Sequence, residues 1–153
     1  METKIVENPT SNSLDSDKWI TFCISDELYC VSALIVKEVL RYTAITPVPH
    51  SPHFVLGLIN LRGNVVTVID GRRRLQVKES ELTSDSRIVI IESEECTVGV
   101  LVDQVREVIN IDKADLDQSP SMTDDKASEY IQSLYHNENE LLILLNNSTF
   151  LDN

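Results

Sequence analysis

Residues 54–70 read FVLGLINLRGNVVTVID. Two apolar runs, Val55–Leu61 and Val65–Ile69, meet at the polar residues Asn60, Arg62, Gly63 and Asn64. Runs this short, rich in Val and Ile and broken by Gly and Asn, predict two strands joined by a tight turn. Gly63 and Asn64 are the residues expected to take the positive φ that such turns need. The second run, VVTVI, does not alternate cleanly, which predicts a strand covered on both faces. The hairpin is expected to sit at the centre of a β-rich core.

Working upstream, the chain alternates short apolar runs with breakers. Residues 1–17 are polar, contain Pro9 and lack apolar periodicity, so a flexible tail is expected. Trp19–Ile24 reads as a strand, Ser25–Glu27 as a turn and Leu28–Val31 as a second strand. Ser32 is placed to cap a brief helix with Leu34 and Ile35 on its inner face. Glu38–Tyr42 reads as a strand, with a longer helix through Leu40 as the alternative. Pro47, Pro49 and Pro52 make Thr46–His53 an extended rigid loop that cannot join a ladder internally.

Working downstream, Lys78–Asp85 is a polar, acidic connector at which the chain divides best into two halves. Ile88–Glu92 and Cys96–Val102 read as a second hairpin, Val105–Ile111 as a further strand and Asp112–Ser128 as a long acidic loop. Tyr130–Tyr135 and Glu140–Leu145 read as a last hairpin with its turn at Asn137–Asn139. Short, evenly spaced strands with few helices predict an all-β fold, a pair of small barrels with short helices.

The 153 residues are enough for one domain or two small fused ones. Cys23, Cys30 and Cys96 each sit in an apolar run without metal-type spacing, so buried reduced thiols are expected and a disulfide framework is not. The N-terminus has no hydrophobic signal core, and no apolar run approaches the ~18 residues of a membrane span. A soluble, cytoplasmic protein is therefore expected. A net charge of −12 argues against general nucleic-acid binding and against docking on anionic lipid. Nine of the thirteen basic residues nevertheless fall between Lys37 and Arg106. The cluster Arg72–Arg74 reads either as a solvated strand end or as a patch for phosphate or an acidic partner. A nucleic-acid module would need exposed aromatics beside that cluster, and none lies near it in sequence.

Catalytic and metal-binding patterns are missing from the text. His50 and His53 lie in the Pro-rich loop without further ligands at sensible spacing, and His136 borders a turn. Glu94–Glu95 falls at a turn, where solvation is expected rather than a shared proton. There is no phosphate loop, nucleophile elbow or CxxC motif. No enzyme, cofactor or metal site is expected. A binding surface remains. Asn60 and Arg62 either build the hairpin turn or present a site in which a carboxylate, Glu38 being the candidate, holds Arg62 beside an apolar groove. Met122, a lone apolar residue in a polar loop, is open to two readings, an exposed anchor or a residue folded back on the core.

These residues carry a resemblance. WITF (19–22), VKEVLRY (36–42), ITPVP (45–49), VLGLINLRG (55–63), VID (68–70), RIVIIE (87–92), VGVLVD (98–103) and LLIL (141–144) occur in the order found in CheW-type coupling proteins of bacterial chemotaxis. The chain resembles that family over residues 18–146. The resemblance implies two intertwined five-stranded SH3-like barrels around a shared core, forming a single domain over 18–150. It implies a non-catalytic adaptor that binds the regulatory domain of the chemotaxis histidine kinase and the helical cytoplasmic tip of chemoreceptors, recruited to membrane-associated arrays, with possible rings of CheW-like domains. Carried over to receptor binding are Val36, Glu38, Gly57, Asn60, Leu61, Arg62, Gly63 and Val102. Carried over to kinase binding are Ile45, Val48 and Met122. Gly71, Ser133 and Asn146 depart from the family's usual residues, which leaves a structural ring component or an adaptor for a specialised non-motility kinase as the alternative. No receiver-like α/β segment accompanies the domain, which argues against the related two-domain coupling proteins.

Overall fold

The protein is described by a computed structural model covering residues 16–79, 81–94, 96–118 and 129–151. Its strands are β1 (Ser16–Ile24), β2 (Glu27–Ser32), β3 (Val36–Arg41), β4 (Val55–Leu61), β5 (Asn64–Asp70), β6 (Arg87–Glu92), β7 (Thr97–Val102), β8 (Gln104–Asp112), β9 (Asp117–Gln118), β10 (Ile131–Asn137) and β11 (Glu140–Leu145). Two short helices, α1 (Gly71–Leu75) and α2 (Asn147–Phe150), follow β5 and β11. The first sheet runs β8-β1-β2-β11-β10-β9 and the second β3-β6-β7-β5-β4. Both are SH3-like units in which, among the described residues, no ladder joins the two edges, so they are open sheets rather than closed barrels, and the two-residue β9 gives the first sheet a sixth strand.

The chain enters the first sheet through β1 and β2, builds the whole second sheet, then returns to the first with β8–β11. The parallel pairings β5–β7 and β11–β2 follow from these excursions. Lys78–Asp85 is therefore no boundary. The strands on either side of it, β5 and β7, lie side by side in one sheet.

Period-2 alternation explains why the central runs are apolar throughout. In β6, Val89 and Ile91 enter a core shared with Phe22, Ile24, Tyr29, Val31, Ile143 and Leu145 of the first sheet. The alternate residues Ile88 and Ile90 face a separate cluster with Ile59, Val66, Val68 and Leu101. Likewise Cys30, Leu142 and Leu144 pack with Trp19 and Ile111 on the far face of the first sheet. The shared core that the resemblance implies is formed by one face from each sheet.

Local expectations hold in part. Ser32 caps the 3-10 turn Ala33–Ile35 by accepting from the Leu34 amide, but Leu34 is 89% exposed and only Ile35 meets the core. Three residues make one turn, too few to hide two adjacent side chains on one face. The hairpin turn uses Arg62 (φ 53°) and Gly63 (φ 89°), not Gly63 and Asn64. Asn64 already pairs with Leu61 as the first residue of β5. A two-residue turn needs positive φ at both central positions to match the twist of its strands. β5 is covered on both faces only in its second half, because Val65 at the turn end is 66% exposed. Residues 16 and 17, expected in the tail, pair with Asp112 and Ile111 as the start of β1.

Arg72–Arg74 lie on α1, not on a strand end. Asp70 caps that helix by accepting from the Arg72 amide at 2.9 Å. A Cβ at Gly71 would meet Ile24 Cδ1 at 2.8 Å and the Leu101 carbonyl at 2.9 Å. The departure at this position thus answers to the close seat of α1 on β1 and β7. The C-terminal hairpin forms despite the other two departures. Ser133 pairs with Leu144 just after a bulge, and the Asn146 amide donates to the Tyr130 carbonyl at 2.7 Å. Among the described residues no helix is long and apolar enough to cross a membrane.

Candidate functional site: a guanidinium–carboxylate fork between two sheet edges

β3 and β4 are the two edges of the second sheet. The pairing of β3 with β6 slips between Val36 and Glu38, so one extra residue, Lys37, is accommodated there. Such a bulge re-aims the following side chain. Before it Val36 faces the shared core, beyond it Glu38 and Leu40 turn to the face of the second cluster, and Lys37, Val39 and Arg41 are exposed. From the other edge, Arg62 reaches back out of the hairpin turn. Its Nη1 donates to Glu38 Oε2 at 2.6 Å and its Nη2 to Glu38 Oε1 at 2.8 Å. Of the two readings of Arg62 this is the one in which Glu38 holds it, and the pair is a side-chain link between edges that share no ladder among the described residues. The Arg62 side chain remains 68% exposed. A fork held on one side and open on the other presents a guanidinium in fixed geometry.

Electrostatics follows the geometry. The hydrogen bonds from the Arg62 guanidinium, with its charge, hold the Glu38 carboxyl below the usual carboxylate range, and the same bonds raise Arg62. An exposed pair of this kind contributes little to folding. Asn60 serves the turn itself, its Oδ1 accepting from the Gly63 amide at 2.9 Å. The two readings of this pair thus separate. Asn60 builds the turn, whereas Arg62 supplies both the left-handed backbone position and the fork.

The remaining residues of the expected receptor surface divide by burial. Glu38, Asn60, Arg62 and Gly63 reach solvent, and Leu61 is half-buried against the second cluster. Val36 is half-buried against the shared core. Val102 is 0% exposed within that core and Gly57 is buried, so neither can present itself to a partner. Ile45 packs partly buried on the second cluster, and Val48 is 37% exposed in the loop between β3 and β4. Met122 lies outside the described residues.

Residue-type reasoning missed the use of the three arginines. Arg72, 5% exposed, binds Asp70 through Nε at 3.0 Å and approaches Asp103 at 3.6 Å. Asp103 Oδ2 in turn accepts from the Ser25 amide of the β1–β2 turn at 2.8 Å. Arg73 bonds Glu79 and the His53 carbonyl, both at 3.3 Å. Arg74 lies 4.1 Å over the Phe54 ring and donates to the Phe150 and Thr149 carbonyls. The cluster is an internal clamp between sheets. The only available signal was Asp70 directly before Gly71, a cap followed by a helix start. The thiols also divide, with Cys30 buried, Cys23 half-buried and Cys96 exposed. Among the described residues no group of three or more His, Cys, Asp or Glu could hold a metal.

Two SH3-like sheets sharing one core, with a two-point Arg62–Glu38 ion pair open to solvent, define a module built for binding rather than for chemistry. A family model described as a CheW-like domain matches residues 18–153. Chemotaxis protein CheW of Bacillus subtilis (strain 168) is 32% identical over 143 residues, covering 94% of this chain and 92% of that one. Chemotaxis protein CheW of Rhizobium meliloti (strain 1021) is 32% identical over 126 residues, covering 82% and 81%. The crystal structure of the scaffolding protein TtCheW from Thermoanaerobacter tengcongensis matches with a TM-score of 0.78 at 33% identity, covering 85% of this chain and 88% of that one. The chain belongs to the CheW-like family. It is a non-catalytic chemotaxis adaptor, as its family is.

Proposed function

We propose that the protein couples chemoreceptor tips to the regulatory domain of a chemotaxis histidine kinase, with the receptor helix bound beside the Arg62–Glu38 fork. The observation that carries this reading is the fork itself, an arginine fixed at 2.6 and 2.8 Å by Glu38 yet open to solvent. A helix presenting polar or acidic groups next to an apolar stripe would find the guanidinium there, with half-buried Leu61 and Leu40 close to the same edges. Ile45 and Val48 supply the kinase-facing surface. The protein acts in the cytoplasm at receptor arrays, a setting in keeping with three free thiols.

Calorimetric titration of the purified protein with its kinase's regulatory domain tests the first half. Saturable one-to-one binding is expected, and no binding by a folded sample would refute it. For the second half, Arg62→Ala should weaken receptor binding while leaving the melting temperature nearly unchanged, because the exposed pair contributes little to stability. Loss of folding without a separable binding defect would assign Arg62 to the turn alone.

A further inference from the structure

Gly57 sits in β4 with φ 146°, a backbone conformation that L side chains rarely adopt. An ideal Cβ there would stand 2.1 Å from the Thr46 carbonyl oxygen, 2.6 Å from the Thr46 carbonyl carbon and 3.0 Å from Ile45 Cγ2. The two atoms nearest over Gly57 are therefore backbone, which cannot swing away as a flexible side-chain end could. The same Thr46 carbonyl accepts from the Leu58 amide at 2.8 Å, and the Thr46 amide donates to the Leu58 carbonyl at 2.9 Å. This isolated bridge fastens the segment after β3 onto the edge of the sheet. The β4–β5 register slips between Val55 and Gly57, so the edge is locally bulged where the segment lands.

The loop has little else with which to hold itself. Pro47, Pro49 and Pro52 have no amide hydrogen to offer a neighbouring strand. Ser51 Oγ donates to the Val48 carbonyl within the loop at 2.8 Å. Its far end is tied by the Val55 amide to the Pro52 carbonyl at 3.0 Å and by Arg73 to the His53 carbonyl. The near end, which carries Ile45 and leads into Val48, rests on the Thr46–Leu58 bridge and on the contact of Ile45 with the second cluster.

We propose that Gly57 is a positioning residue for the Ile45–Val48 segment: its missing side chain lets that segment lie against β4 and present the kinase-facing surface. The inference rests on the partner assignment above and moves Gly57 from the receptor side to the kinase side. A Cβ at position 57 must lift Thr46 off Leu58, and a loop freed at one end pays an ordering cost each time it binds.

The test uses the full chain carrying Gly57→Ala, titrated separately with the kinase regulatory domain and with a receptor-tip fragment, together with amide hydrogen exchange. The expected result is about tenfold weaker kinase binding, receptor binding within about twofold, and faster exchange at Thr46 and Leu58 while Val89 and Val100 in the sheet centre stay protected. If the variant does not fold, Thr46→Pro removes the bridge donor and leaves Gly57 in place, and the same partner split is expected. Position 46 already precedes Pro47, which favours extended backbone there. Unchanged protection at Thr46 and Leu58 overturns the positioning role. Equal loss of both partners, loss of the receptor alone, or unfolding of both variants also overturns it. Failure of the unaltered protein to bind the kinase domain is a different result. It removes the partner assignment, while the exchange data still decide whether Gly57 seats the loop.

Discussion

Arg62 combines two roles that compete in most turns. Its backbone occupies the left-handed region at φ 53°, and its side chain makes a two-point contact with Glu38. Because the folded carboxyl of Glu38 is held below its unfolded value, the stabilisation is fully present above the ordinary glutamate range, about pH 4.3. It is lost as pH falls through the lower folded value. In Arg62→Ala the Glu38 titration, followed by carbon NMR, should move upward toward that ordinary range. Identical titration in both proteins would show that the fork does not persist in solution. A second residue-scale expectation concerns the thiols. Burial pushes Cys30 up to about 12, whereas Cys96 is exposed. A thiol reagent at neutral pH should label Cys96 in the native protein and Cys30 only after unfolding. Labelling of native Cys30 at the rate of Cys96 would contradict its placement.

At the scale of elements, α1 does the most with the fewest residues. Five residues cap on Asp70, sit close on β1 and β7 through Gly71, and send one arginine to Asp103 and another to the C-terminal helix. Arg72→Ala leaves the buried Asp70 carboxylate with only the longer Arg73 ion pair at 3.7 Å, which costs about 3 kcal/mol, the lower end for a broken buried pair. For a chain of this size that corresponds to a fall in Tm of roughly 10 °C. Arg73→Ala should cost far less, since that side chain is 31% exposed, its contact with Asp70 is the longer one at 3.7 Å, and its closest salt-bridge partner is the solvated Glu79. Equal losses from the two changes, measured by thermal unfolding, would show that burial of the Arg72 pair is not what matters.

For the molecule as a whole, the two sheets are not separable folding units. β5 and β7 pair across the Lys78–Asp85 connector, and β2 pairs with β11 across most of the chain. The core between the sheets draws on both halves. Fragments split within the connector should each lack cooperative structure and should regain dispersed amide spectra only when mixed. A fragment that folds alone would contradict the shared core. The same interleaving places the fork and the Ile45–Val48 loop on one sheet while α1 ties that sheet to the other.

The strands, most of their limits and the candidate members of the fork were legible in the sequence because they depend on local chemistry. Apolar runs bounded by Gly, Pro, Asn and Asp can be read residue by residue. A lone arginine in an apolar hairpin, with a glutamate on a short apolar segment, made Glu38 a candidate partner, while the choice between turn and fork was left to the structure. What the sequence could not decide was set by contacts between residues far apart in the chain. Leu34 is exposed, Val102 is sealed in the core and Arg72–Arg74 serve as an internal clamp because of which sheet face each one meets. The division of the chain at its polar connector failed for the same reason. Strand pairing, which tertiary structure alone specifies, runs β5 against β7 and β2 against β11, and a chain folded that way has no boundary in the middle.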